Sequence, residues 1–347
     1  MNLEQRIKAF VQLGDFLSDF TNQKEKSDFS EFFKGFEEVL KLAYVENGWF
    51  TQEYIYESLK GIIHFCKEEE LKKLVSQIEG NSSSKTVATI MAGNIPAVGF
   101  HDMLCVLLSG HKILLKLSSD DKVLISFFVR FLSHVQPEFQ DYIRFSSGTL
   151  SQFDAIIATG SNNSSRYFEY YFGKYPHIIR KNRFSVAVLD GTETNEELSD
   201  LGKDVFTYFG LGCRNVSKLL VPKGYDFKTF FEAIFSFSKV IENKKYGNNY
   251  DYNRAVYLLN KEPFLDNNFL ILKQDSSWTS PVSVLFYEEY DSIQKANDLL
   301  EINKESLQVV VSKIKLDLPA VPFGQAQKPG ILDFADNVNT MRFISAL

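Results

Sequence analysis

The sequence predicts an α/β protein: a helical N-terminal segment, a doubly wound unit built on a parallel sheet, and a second α/β unit. Two patterns carry this. Up to about position 80 apolar residues recur at helical spacing, as in Ile7, Phe10, Val11, Leu13, Phe16 and Leu17, then Phe32, Phe33, Phe36, Val39 and Leu40. From Thr86 onward, short apolar runs alternate with helix-length stretches, the pattern of strands joined by crossover helices.

Residues 87–91 read as a buried strand, Ala92-Gly-Asn-Ile-Pro96 as a turn, 98–108 as a helix and 112–116 as the next strand, together a β-α-β unit. Ser118 and Ser119 are placed to cap a helix over 123–135. A strand at 153–158 closes in Thr159-Gly160-Ser161 ahead of a Tyr/Phe-rich helix, and 185–189 supplies another strand. In such sheets a ligand lies beyond the carboxyl ends of the strands, where Gly93-Asn94 and Gly160-Ser161 fall. Further on come a helix over 195–209, a turn at Cys213, a strand at 218–221 and a helix over 227–241. Strands at 256–259 and 282–286, a helix over 290–300 and a strand at 307–311 complete the pattern, with the Asn-rich stretch 242–251 reading as a loop. The expected organisation is a helical layer (1–80) packed on a doubly wound domain (81–190), a second domain (191–325) carrying Cys213, and a C-terminal segment (326–347).

A net charge of −6 excludes bulk electrostatic binding of nucleic acid. Three widely spaced cysteines make no disulfide framework, and the chain begins with a polar amphipathic stretch where a signal peptide needs an apolar core. These features predict a cytoplasmic protein. The longest apolar runs are too short to cross a bilayer, so no integral membrane association is expected. His64 and Cys66 lack the companions a metal site requires, and no metal is expected. The 32 Phe and 16 Tyr must fill cores, an interface or an apolar channel, which composition cannot separate.

Cys213 is the most informative residue. It stands in Phe206-Thr-Tyr-Phe-Gly-Leu-Gly-Cys213-Arg-Asn-Val-Ser-Lys-Leu-Leu-Val-Pro222, where a helix-like run ends in glycines that deliver one thiol ahead of an apolar strand. The thiolate is the nucleophilic form, favoured by nearby cations and backbone N–H groups, which Arg214, Gly210 and Gly212 suit. The alternative for a lone cysteine is a small buried hydrophobe, the simplest reading of Cys105 in its apolar helix.

Four segments in order go beyond generic α/β: Ala92-Gly-Asn-Ile-Pro96 with the later Lys116, Ala158-Thr-Gly-Ser161, Phe209-Gly-Leu-Gly-Cys213, and Ser280-Pro-Val282 followed by Pro322-Phe-Gly324. This set resembles the aldehyde dehydrogenase superfamily, and most closely its LuxC-type fatty acyl-CoA reductase branch. The resemblance runs from about residue 85 to the end, through Phe323-Gly-Gln-Ala-Gln, Asp333-Phe-Ala-Asp and Asn339-Thr-Met-Arg-Phe343. It implies an aldehyde-dehydrogenase-like fold whose residues 81–190 bind NADP and whose residues 191–325 are catalytic. Cys213 becomes the acyl-accepting nucleophile, and Asn94, with the Cys213 N–H, a donor to the oxyanion. Lys116 is placed on the adenosine side of the cofactor, with Gly160 and Ser161 at its pyrophosphate.

Departures from the pattern shape the chemistry. Where NAD-preferring relatives carry a carboxylate for the ribose 2′-hydroxyl, this chain has Ser119, which favours NADPH, although Asp120 and Asp121 are close by. Aldehyde-oxidising relatives keep a Glu general base in the segment matching 179–183, yet no Asp or Glu occurs from Tyr170 through Leu189. The Glu that holds the nicotinamide ribose is replaced by Ser277. A thioacyl enzyme without a water-activating base suits NADPH-dependent reduction of an acyl-CoA, fatty acyl foremost, to aldehyde. The alternatives are NAD(P)-dependent aldehyde oxidation, and a non-reducing acyl-transfer or scaffold subunit. Lys174, His177, Arg180, Lys181 and Arg183 read either as a phosphate-binding cluster or as a solvated basic face. The resemblance implies an acyl-CoA or another acyl carrier as substrate, and it leaves open an acyl-transferring partner protein and a homo-oligomer.

Overall fold

The computed structural model describes residues 1–24, 27–78 and 83–347. It divides into two compact units, Met1–Asn182 with Gly330–Leu347, and Arg183–Pro329.

The first unit opens with α1 (Leu3–Thr21), α2 (Ser30–Glu46), α3 (Gln52–Phe65) and α4 (Glu68–Val75). A capping box between Asn2 and Gln5 starts α1, satisfying two of the N–H groups a helix leaves without intrahelical acceptors. There follow β1 (Thr86–Ile90), α5 (Phe100–Leu108), β2 (Lys112–Lys116), α6 (Val123–Val135), β3 (Ile143–Phe145), β4 (Ala155–Thr159), α7 (Asn162–Phe172) and β5 (His177–Arg180). The sheet is parallel with order β3-β2-β1-β4-β5. The order reverses between β1 and β4, the switch point of a doubly wound fold. Much of the phenylalanine goes into this core: Phe36 meets Phe127 at 4.4 Å between ring centroids and Phe16 meets Phe131 at 4.7 Å. These helix-to-α6 contacts make the N-terminal helices and the sheet share one apolar core.

The second unit contains β6 (Phe184–Val188), α8 (Asn195–Phe206), β7 (Val216–Pro222), α9 (Phe227–Ala233), α10 (Lys244–Leu259), β8 (Leu265–Asp266), β9 (Ile271–Gln274), β10 (Val284–Tyr290), α11 (Ile293–Asn303) and β11 (Leu307–Val311). Its sheet runs β11-β6-β7-β10-β9-β8, parallel except for β8 against β9.

Several expectations are corrected. The strand near 185 pairs with β7 and β11 in the second sheet, not with the first. The stretch 242–251 is helix, and the run 256–259 is the end of the same helix, α10. Asn243 caps it, its Oδ1 accepting from the N–H groups of Lys245 (3.0 Å) and Tyr246 (3.2 Å). Its buried face is Tyr246, Tyr250, Asn253 and Tyr257, so the inward residues look polar in sequence. The N-cap of α6 is Lys122, without a side-chain bond; Ser118 Oγ instead accepts the Asp120 N–H at 3.2 Å.

Candidate functional site

The turn between α8 and β7 carries Cys213, the exposed one of the three cysteines; Cys66 and Cys105 are buried. Three consecutive residues, Tyr208, Phe209 and Gly210, take left-handed backbone angles (φ 55°, 56° and 77°). Glycine adopts this region readily, whereas each non-glycine residue held there costs of order 1–3 kcal/mol. The chain thus leaves α8 through a strained elbow before entering β7.

Side chains from both sides of the elbow fix it. Asn215, only 3% exposed, donates through Nδ2 to the carbonyls of Asp204 (3.0 Å), Val205 (3.3 Å) and Thr207 (2.7 Å). Its Oδ1 accepts the Gly212 N–H (2.8 Å), and its own N–H donates to the Gly212 carbonyl (3.0 Å). Ser185 of β6 donates to the Cys213 carbonyl at 2.9 Å. Asp204, buried in α8, accepts the N–H groups of Gly324 (2.7 Å) and Ala326 (3.0 Å), and burial pushes its carboxyl up to about 6 despite those bonds. The Arg214 guanidinium donates to the Ala326 carbonyl at 3.3 Å. The late Pro-Phe-Gly segment and the elbow are therefore joined through α8 and Arg214. Gly324 is left-handed (φ 76°), and a Cβ there would lie 3.1 Å from that of Asp200.

Ser277 lies exposed in the loop between β9 and β10, its N–H on Asp275 Oδ1 at 2.9 Å. Fully buried Lys218 holds this loop from β7, donating to the carbonyls of Asp275 (3.1 Å) and Ser276 (3.0 Å) and to Glu288 (2.5 Å).

In the first unit the strand register sets Ile90, Lys116 and Ala158 in one row, so the segments that follow β1, β2 and β4 leave the same edge at the switch point. Asn94 is exposed in the first of these, Ser119 in the second and Ser161 in the third. Gly93 lets the first two meet, because a Cβ there would come within 2.6 Å of Ser118 Oγ. Gly160 is similarly constrained by Ser164 and Phe168, 2.9 and 2.8 Å from where its Cβ would be. Ser161 caps α7, accepting the Ser164 N–H at 3.1 Å. Lys116 Nζ donates to the Gly148 carbonyl at 2.7 Å. An amine, hydroxyls and the first-turn N–H groups of α7 make a donor set that fits an anionic ligand.

Asp121, two residues after Ser119, turns inward. Its Oδ2 accepts the Ala97 N–H at 2.6 Å, its Oδ1 is buried without a hydrogen-bond partner, and burial pushes the carboxyl up to about 7.

The basic cluster does not exist as a unit. Arg180 is buried in a two-pronged bond to Asp102 of α5, with one prong at 2.8 Å, and also donates to Thr340 at 3.0 Å in the C-terminal helix Thr340–Ser345. Lys181 pairs with Glu169 at 2.9 Å, Lys174 lies over the Tyr175 ring, and Arg183 donates to the Leu307 carbonyl in the second unit. Cys105 is fully buried and its thiol is held well above the usual range by burial. Among the described residues no group of His, Cys, Asp and Glu could hold a metal ion, and no helix is long and apolar enough to cross a membrane.

A family model described as acyl-CoA reductase (LuxC) matches residues 15–236. The chain belongs to this family. Solved structures of similar fold include the NAD+ complex of an aldehyde dehydrogenase from Bacillus cereus (TM-score 0.63, 12% identity, 90% of this chain and 72% of that one). Another is the delta-pyrroline-5-carboxylate dehydrogenase of Mycobacterium tuberculosis (0.62, 13%, 96% and 70%). A third is aldehyde dehydrogenase 21 of Physcomitrella patens, solved with its product succinate (0.64, 12%, 90% and 74%). At these identities the likeness establishes the aldehyde-dehydrogenase-like fold of this acyl-CoA reductase family member. No curated protein matches its sequence.

Little in the sequence singles out Asn215, Ser185 and Asp204, and Asp121 stands out only as a carboxylate near Ser119. The one available signal was the spacing Cys-x-Asn at 213–215 directly after a glycine-rich turn.

Proposed function

We propose that the protein reduces an acyl-CoA, a fatty acyl group foremost, to the aldehyde through a thioacyl bond on Cys213, using NADPH. The observation that carries this is the exposed Cys213 thiol on a built elbow in a chain of the acyl-CoA reductase family. The Cys213 thiolate attacks the thioester carbonyl carbon, forming a new C–S bond; the carbonyl re-forms as the CoA thiolate leaves and is protonated. In this reading Asn94 is a side-chain donor to the oxygen that carries the developing charge, a role typically worth about 2.7–4 kcal/mol. A reduced nicotinamide dinucleotide, when bound, supplies the hydride equivalent that takes the acyl carbon to the aldehyde level. Cys213 then serves as leaving group, its sulfur departing as thiolate while the aldehyde is released. Lys116, Ser119, Gly160 and Ser161 would hold the dinucleotide at the edge of the first sheet. Ser119 supports NADPH because it places no carboxylate against a 2′-phosphate, and Asp121 is committed to the Ala97 N–H. The 170–189 segment holds no Asp or Glu to serve as the carboxylate base that activates water, which favours a thioacyl enzyme stable to water.

Intact-protein mass spectrometry tests this. Enzyme mixed with acyl-CoA alone should carry one acyl group on Cys213 for minutes, and addition of NADPH should remove it with release of aldehyde. Rapid release of free acid without NADPH, or turnover with no adduct on Cys213, overturns the reading.

A further inference from the structure

We infer that Asn215 is a positioning residue for the reaction at Cys213, fixing where the thiol stands without touching the substrate; this rests on the proposed role of Cys213. Residues 208–214 belong to neither flanking element, since α8 ends at Phe206 and β7 begins at Val216. Three left-handed residues in succession give the segment little intrinsic reason to keep its path. The Asn215 amide reaches both of its ends. Its Nδ2 closes the carbonyls at the exit of α8, and its Oδ1 and N–H bracket Gly212, the residue before the nucleophile. Ser185 fixes the Cys213 carbonyl beyond, so the main chain is held on both sides of the thiol.

The chemistry selects asparagine. One side chain must share its two Nδ2 hydrogens among three carbonyls and accept one N–H from a buried site. Aspartate has the shape but turns an oxygen toward the carbonyls, and alanine keeps only the main-chain N–H on the Gly212 carbonyl. Bonds this numerous at a single buried amide mark a preorganising group, because displacing a reacting atom by about 1 Å can cost on the order of 10²-fold in rate.

The test compares Asn215→Asp and Asn215→Ala with the wild type in three measurements: steady-state kcat and KM with acyl-CoA and NADPH, the second-order rate of Cys213 alkylation by iodoacetamide followed by mass, and far-ultraviolet circular dichroism. Positioning predicts that kcat falls roughly 30- to 100-fold while KM stays within about threefold. Alkylation should stay within about fivefold, because a small reagent reaches an exposed thiol from many directions. Wild-type kcat in either variant overturns the inference. So does a parallel fall in alkylation and kcat, which would mean that Asn215 acts on thiol ionisation. Failure of both variants to fold also overturns it, because the amide would then be holding the unit and not the elbow. Turnover by Cys213→Ser would instead sink the nucleophile reading and leave the two failures distinct.

Discussion

At the Cys213 elbow, Asn215, Ser185 and Asp204 are buried and bind main-chain groups through their side chains, whereas at the edge of the first sheet Asn94, Ser119 and Ser161 stand exposed on loops, Ser161 also capping α7. The elbow is strained and braced. The edge instead relies on glycines for close approach and on regular register to gather its donors. Covalent chemistry needs one atom held within fractions of an ångström, while a long anionic ligand is recognised by a row of donors that need only face one way. The difference between the two regions is the one expected if the first performs the chemistry and the second holds a ligand.

The largest effect should come from the elbow. Cys213→Ala is expected to abolish acyl labelling and aldehyde formation, with circular dichroism unchanged because the side chain is exposed. Cys105→Ala should do the reverse, with turnover kept and stability reduced by about 1 kcal/mol through lost packing of a buried side chain. If Cys213→Ala keeps turnover, the elbow is bracing for some other purpose and the comparison collapses.

Next is Asn94, where the proposed donor role and an ordinary exposed turn residue part company. Asn94→Ala should lower the acylation rate by roughly 10²- to 10³-fold with little change in acyl-CoA affinity, as removal of one oxyanion donor typically does. Stopped-flow acylation separates the two terms, and a change confined to KM would make Asn94 a binding or turn residue.

The two regions also differ in their buried carboxylates. Asp204 accepts two N–H groups and rises to about 6, while Asp121 accepts one, leaves Oδ1 without a partner and rises to about 7. In both, burial is the first cause. Their folded values lie above the ordinary 3.8, so this contribution to stability is fully present below pH 3.8 and is lost as pH rises through about 6 and 7. From these two groups alone, the urea midpoint should fall between pH 5 and pH 8. Asp121→Asn should flatten the part of the slope near neutrality, and an unchanged slope would mean that the carboxylate is solvated in the folded state.

How much of this was legible depended on what faces inward. The strands at 112–116 and 307–311 could be read to the residue because strands buried on both faces appear as continuous apolar runs. The α10 helix was hidden because its core face is tyrosine and asparagine. For β6 the strand was visible, but its partner β11 lies far along the chain, so sheet membership was not. At the site, the glycines around Cys213 announced a presented thiol. The clamp did not show, because an asparagine after such a turn reads as a turn former, and only the folded chain puts its amide against the end of α8. Arg180 failed in the opposite direction: its neighbours in sequence suggested a basic patch, while its partner Asp102 comes from a distant helix.

The smallest expected effect is also the one that asks most of the edge region. If Ser119 faces the ribose of the dinucleotide, Ser119→Glu sets a carboxylate against the 2′-phosphate of NADPH and provides an acceptor for the 2′-hydroxyl of NADH. At surface exposure such a charge is worth about 0.2–1 kcal/mol, so selectivity should move toward NADH by at most roughly fivefold, and less at high ionic strength. Cys213 alkylation and the acylation rate with acyl-CoA alone should not change, because neither step uses the dinucleotide. The ratio of kcat/KM for the two cofactors, measured at two salt concentrations, reads the shift directly. A ratio that stays put while acylation is intact would mean that another segment meets the 2′-phosphate. The exposed row would then keep its place at the switch point but lose its proposed role in telling the two cofactors apart.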